Sequence, residues 1–115
     1  MISEYLIPAV AARFKALSDP SRLRLLCCLH EKAHSVSELV EKTGRPQPSV
    51  SQSLAQLSAA ALVASSRQGS RVIYSLSDPS VARICDAVCR SVSENARKQA
   101  HALAGPPMGR SRQRA

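Results

Sequence analysis

Between residues 47 and 60 the chain carries no charged side chain, yet Gln47, Ser49, Ser51, Gln52, Ser53 and Gln56 all fall there. A glutamine can grip adenine with two hydrogen bonds in the major groove, and a serine can meet a base edge or a phosphate. An idle surface helix more often carries Lys and Glu pairs. An ordinary solvated face is the competing reading of this polar run. Arg45 and Lys42 precede it, and Arg67 and Arg71 flank Gly69 further on. These cations suit phosphates or the minor groove, although exposed hairpin arginines are common. The second reactive set is four cysteines: Cys27 and Cys28 are adjacent, and Cys85 and Cys89 are four apart. On a helix the latter two share a face. Their C-x3-C spacing matches neither a zinc ribbon nor a redox C-x-x-C motif. Three thiolates, Cys85 and Cys89 with Cys27 or Cys28, would suit a soft metal or arsenite ion. The same thiols could instead be oxidised. Free cysteine also packs as a small hydrophobe, so a purely structural role stays open.

Composition narrows the partners. The chain has 115 residues with a formal net charge of +8, and it is long enough for one domain. Hydrophobic residues make up 44%, which supports a folded core, and with no Trp and one Phe that core must be aliphatic. Such a basic excess implies a polyanion, with nucleic acid ahead of an anionic membrane surface. No apolar run approaches the ~18 residues of a membrane span, so no membrane role is expected. The opening MISEYLIPAVAARF lacks a basic n-region, which speaks against a secretory leader and for a cytoplasmic protein with reduced thiols. A small thiol oxidoreductase is disfavoured, because C-x-x-C, a βαβ pattern and an acid–base pair are all missing. Residues 105–115, GPPMGRSRQRA, read as a disordered basic tail carrying three of the charges on Arg110, Arg112 and Arg114. The domain proper is then 1–104.

The elements that would position these residues follow from spacing. Residues 3–17 predict a helix capped by Ser3, with Pro8 delaying or bending its start. Asp19-Pro20 reads as an N-cap and first position of a helix over 20–31, with Leu23, Leu26 and Cys27 on one face. Ser35 and Glu38 form a capping box for a short helix stopped by Gly44. A helix over 47–60 sets Val50, Leu54 and Leu57 on an apolar stripe opposite the polar run. Residues 62–66 and 71–76 read as strands joined by a turn with Gly69 at positive φ. Asp78-Pro79 opens a last helix over 79–103, striped by Val81, Ile84, Cys85, Val88, Cys89, Val92 and Ala96. His30, His34 and His101 read as solvent-facing. The order α-α-α-α-β-β-α is that of a winged helix-turn-helix, a mainly α fold with a small β-hairpin. The apolar stripes of the first and last helices exceed what this small core can cover, which predicts a homodimer. Two-fold symmetry in turn implies a pseudo-palindromic duplex operator.

The pieces ALSDPSRLRLL (16–26), SVSELVEKTGRPQPSVSQSLAQL (35–57), ALV (61–63) and VIYSLSDPSV (72–81) together resemble the ArsR/SmtB family of bacterial winged-helix repressors. The resemblance implies a homodimer through the first and last helices, with the fourth helix reading DNA. It would place Gln47, Ser49, Ser51 and Gln52 on bases, and Arg45, Arg67 and Arg71 on phosphates or in the minor groove. Two departures bear on the operator: Pro46 stands where the family often has a small capping residue, and Gln52-Ser53 replace a Lys-His pair. The family's thiolate site in the third helix has no cysteine here, and its last-helix zinc site needs a spacing that Asp86 and His101 do not provide. The family's thiol sensors place one cysteine where Cys27 stands and another in the last helix, where Cys89 lies about one turn short. The resemblance thus implies a repressor controlled by cysteine oxidation or persulfidation, with no cofactor required. A soft-metal or arsenite site including Cys85, Cys89 and Cys28, or no cysteine sensing at all, are the alternatives.

Overall fold

A computed structural model describes residues 2–104. The proposed basic tail at 105–115 lies outside the described residues. Two compact units are present, one running through Ala82 and the other beginning at Arg83.

The first unit is built by local signals that agree with one another. A single 3-10 turn, Glu4–Leu6, leads into α1 (Ile7–Leu17). Pro8 falls within its first two positions, so the helix starts later than hydrophobic spacing alone suggests, and Ser3 makes no side-chain cap. In α2 (Pro20–Glu31) Asp19 caps as expected, its carboxylate accepting from the Arg22 N–H at 3.1 Å. The buried face of α2 is Leu25, Leu26 and Leu29, whereas Leu23 and Cys27 are exposed. The expected face through Leu23, Leu26 and Cys27 is therefore corrected: the helix is rotated so that Leu25 and Leu29 fill the core.

Next comes β1 (His34–Ser35), a two-residue strand absent from the expected order, followed by α3 (Val36–Thr43). The capping box of α3 closes in both directions: Glu38 N–H donates to Ser35 Oγ at 3.2 Å, and Ser35 N–H donates to Glu38 Oε1 at 2.8 Å. Gly44 ends the helix at φ 70°, in the left-handed region where a Cβ is strained. After the turn, α4 spans Gln47–Ala59. It ends in a Schellman motif, with Leu62 N–H donating to Leu57 O at 3.0 Å and Ala61 N–H to Ser58 O at 2.9 Å. Ala61 occupies the left-handed position at φ 61°, where glycine is usual.

Strands β2 (Val63–Gln68) and β3 (Arg71–Leu76) form an antiparallel hairpin in full register from Val63↔Leu76 to Gln68↔Arg71. The loop is thus Gly69-Ser70, with positive φ at Gly69 only, as in a II′ turn. On its other edge β3 pairs with β1, His34↔Tyr74 and Ser35↔Ile73, giving the sheet order β1-β3-β2. The wing is therefore three-stranded. His34 is only 2% exposed, which overturns its expected solvent-facing position. Its Nδ1 lies 2.8 Å from Lys32 O, while Nε2 is enclosed without a partner.

The core of this unit is aliphatic, as composition requires: Leu25, Leu26, Leu29, Leu39, Val50, Leu54, Leu57, Leu62, Val63 and Val81 are buried, with Ala16 beside them. Helices α2, α3 and α4 pack on one another, and β3 packs on α2. The 3-10 turn and the outer face of α1 are left bare, with Tyr5 and Leu6 of the former and Ile7 and Phe14 of the latter exposed.

The second unit is the body of α5 (Pro79–Ala104), a 26-residue helix. Asp78 starts it by accepting from Ser80 N–H at 2.7 Å and from the Ser80 hydroxyl. Its stripe residues Ile84, Val88 and Val92 are exposed, the last at 61%. Arg97 pairs with Glu94 one turn back at 2.8 Å. No helix among the described residues is long and apolar enough to cross a membrane.

Candidate nucleic-acid interface

Helix α4 is anchored by three side chains at 0% exposure, Val50, Leu54 and Leu57. Spaced i, i+4 and i+7, they fix its rotation. What faces outward follows from that rotation: Gln47 and Gln52 are exposed, Ser49 and Ser51 are half-buried. Gln47 Nε2 donates to Ser51 Oγ at 2.9 Å, one turn along, so the two amide and hydroxyl tips sit side by side. Ser53 departs from expectation. It is 7% exposed and lies on the core side of the helix, where its neighbour Leu54 also points. Gln56 is exposed but engaged, its Oε1 accepting from Arg22 Nη1 at 2.7 Å. The polar tips of α4 that face outward without a tie to another element are therefore those of its first two turns.

Arg22 was not among the residues that spacing singled out. Its guanidinium also donates to Ala16 O at 2.7 Å and Lys15 O at 3.3 Å, capping the last carbonyls of α1. It thereby ties α1, α2 and α4 together. A shallow cleft of about 280 Å³ lies beside it, lined by Ala12, Ala16, Ala59 and Ala60 with Lys15, Arg22 and Gln56 at hand. No local motif signals such a tie, because its partners are far apart in sequence.

The cations are arranged unequally. Arg45 sits in the turn before α4, half-buried, with Nη1 enclosed and lacking an acceptor, so its guanidinium is undersatisfied. Arg67 is exposed on β2, next to the wing turn. Arg71 instead points back to the body: its Nη2 lies 2.9 Å from Ser35 Oγ and 3.2 Å from Glu38 Oε2. The Ser35 N–H holds the Glu38 carboxyl below the usual carboxylate range; desolvation opposes this, and Arg71 adds to the lowering.

The cysteines do not converge within the first unit. Cys27 is exposed on α2 and Cys28 is half-buried. Adjacent helix positions point about 100° apart, so these two sulfurs do not share a face. Burial pushes the Cys28 thiol up, Glu31 and Cys27 add to this, and Lys42 opposes it. That disfavours the thiolate, the reactive form. On α5, Cys85 is half-buried and Cys89 exposed. Among the described residues of one chain no group of three or more His, Cys, Asp or Glu side chains could hold a metal ion.

With this geometry in place, comparison with known proteins identifies the type of molecule. The family model described as "Bacterial regulatory protein, arsR family" matches residues 19–65, from the cap of α2 into β2. The HTH-type transcriptional regulator KmtR of Mycobacterium tuberculosis is 42% identical over 76 residues, covering 65% of this chain. The match spans 58% of that relative's own length. The biofilm growth-associated repressor of Agrobacterium fabrum is 37% identical over 69% of this chain and 68% of its own. Among solved structures, the homodimeric winged helix-turn-helix DNA-binding domain Mb0332 from Mycobacterium bovis superposes with a TM-score of 0.80. It is 28% identical over 87% of this chain and 95% of that one. These relatives are described as regulators or repressors of transcription, and the family match spans the capped α2, the α3–turn–α4 pair and the start of β2. The chain belongs to the ArsR family of bacterial regulatory proteins, winged helix-turn-helix transcriptional regulators.

Proposed function

We propose that two copies of the chain bind a pseudo-palindromic DNA operator and repress transcription. In this reading Gln47, Ser49, Ser51 and Gln52 meet base edges, and Arg45 and Arg67 meet phosphates or the minor groove. The observation that carries it is the exposed, uncharged front of α4 above three fully buried anchors. A rigidly seated helix with amide and hydroxyl tips suits a major groove that presents donors and acceptors in fixed patterns. Arg45, in the turn at its entrance, places a cation beside that front. Replacing Gln52 by Ala should weaken binding to a preferred duplex by ~1–3 kcal/mol and leave random duplex unaffected. Equal loss on both would remove base reading from this residue.

Pairing of two copies is supported by the bare apolar faces of α1 and of α5, each considered alone, and by the homodimeric state of Mb0332. A two-fold pair would set two reading helices about one turn of DNA apart.

Control of DNA affinity is assigned to thiol oxidation or persulfidation, with exposed Cys27 and Cys89 as the reactive pair and Cys85 and Cys28 as the shielded ones. A coupling of ~1–3 kcal/mol between thiol state and operator binding would suffice for induction. Mass spectrometry after polysulfide treatment, read beside duplex binding, tests this. C27S should lose both the added mass and the drop in affinity. An unchanged response in C27S and C89S would leave these cysteines without a sensing role.

A further inference from the structure

We propose that Arg71 is a positioning residue that braces the wing against the N-terminus of α3, and is not a phosphate contact. The inference rests on the reading of the chain as a DNA-binding regulator. Only the first residue of β2, Val63, is buried, and from Ala64 onward the strand is exposed. The distal wing thus leaves the core early, and a two-stranded ribbon is marginal by itself. Beside the packing of the sheet on α2, α3 and α4, two polar links among the described residues hold this part to the body. One is the two-residue pairing of β1 with β3, and the other is the Arg71 guanidinium.

The geometry of the brace is saturated. Ser35 Oγ accepts from Glu38 N–H at 3.2 Å and from Arg71 Nη2 at 2.9 Å, filling both lone pairs. Its own proton is left for Ser37 Oγ, 3.2 Å away. Glu38 divides its oxygens: Oε1 accepts from Ser35 N–H, and Oε2 faces Arg71. The capping box of α3 and the first residue of β3, 36 positions apart, are one network. Both contacts use the Nη2 edge of Arg71, so turning that edge to a phosphate would mean leaving both acceptors, and it would leave Glu38 facing a polyanion.

The side chain of Glu38 offers the discriminating variant. Gln at 38 keeps an oxygen for the Ser35 N–H and replaces the oxygen facing Arg71 with a donor. E38Q therefore removes the ion-pair half of the brace, leaving the Ser35 Oγ contact, while keeping the cap. It also removes a negative charge from near DNA. If Arg71 served phosphates, E38Q would free it and tighten binding. If Arg71 braces the wing, E38Q weakens binding.

The test uses the full chain and a duplex that the wild type selects from a random pool. Affinity is measured over a range of salt, and amide exchange at the β1–β3 pairing is measured without DNA. Expected for both E38Q and R71A is a loss of about two- to fivefold, the scale of a partly exposed ion pair. The salt slope should be unchanged, exchange at β1 and β3 should be faster, and the double variant should be no worse than R71A. The proposal is overturned if E38Q binds as tightly as the wild type or tighter. It is also overturned if R71A lowers the salt slope by about one, the signature of a lost phosphate contact, or if neither variant changes exchange. A wild type that selects no duplex refutes DNA binding, and the exchange data alone then decide the brace.

Discussion

At the scale of single residues, chemistry depends on which atoms are already committed. All three glutamines of α4 are exposed, but Gln47 bonds only to Ser51 one turn along, whereas Gln56 is held by Arg22 from another helix. Ser53 is lost to the core side. Glu38 makes a pH prediction with a definite sign. The Ser35 N–H and Arg71 depress its carboxyl in the folded state, so its contribution to the joint between wing and α3 is fully present above the ordinary carboxylate range. It is lost as pH falls through the lower folded value. Carbon NMR of the Glu38 carboxyl should show ionisation below the ordinary glutamate range, with β1–β3 amide protection falling in step. E38Q should abolish that dependence. A normal carboxyl titration with constant protection would contradict the network.

At the scale of elements, local signals made most of the fold legible. The Asp19-Pro20 start, the S-x-x-E box, the Gly44 stop and the i, i+4, i+7 stripe of α4 are each decided within one or two turns of chain. All of them hold in the structure. Failures fall where distant partners decide. His34-Ser35 is too short for any periodicity and is a strand only because β3 lies beside it. The same pairing buries His34. The face of α2 was misplaced because a one-residue shift rotates a helix by about 100°, and PSRLRLLCCLHE offers apolar residues on two adjoining faces. Arg71 could not be separated from Arg67 by type, since its partners are 36 residues upstream. Ala61 carries an element-level prediction. It closes the Schellman motif at φ 61°, where an L side chain is strained. Ala61→Gly should stabilise the chain by up to ~1 kcal/mol, the strain relief exceeding the entropy gained by the unfolded state. Thermal or denaturant unfolding reads this directly, and a destabilised variant would mean that the position carries no net strain.

At the scale of the whole molecule, the +8 net charge and the two bare apolar faces bear on one assembly. Charge supplies attraction to DNA that is blind to sequence and falls steeply with salt. The proposed self-association through the apolar faces of α1 and α5 would double the reading surface. Neither property is specific alone. In the proposed reading, specificity comes from the first two turns of α4, presented twice with a fixed spacing. Selection of duplexes from a random pool by the wild type and by Q47A and Q52A variants tests this. The wild type should enrich an inverted repeat whose half-sites lie about one helical turn apart, and each variant should lose preference at one position in each half-site. Enrichment of no sequence, or of the same sequence by all three proteins, would contradict reading by α4.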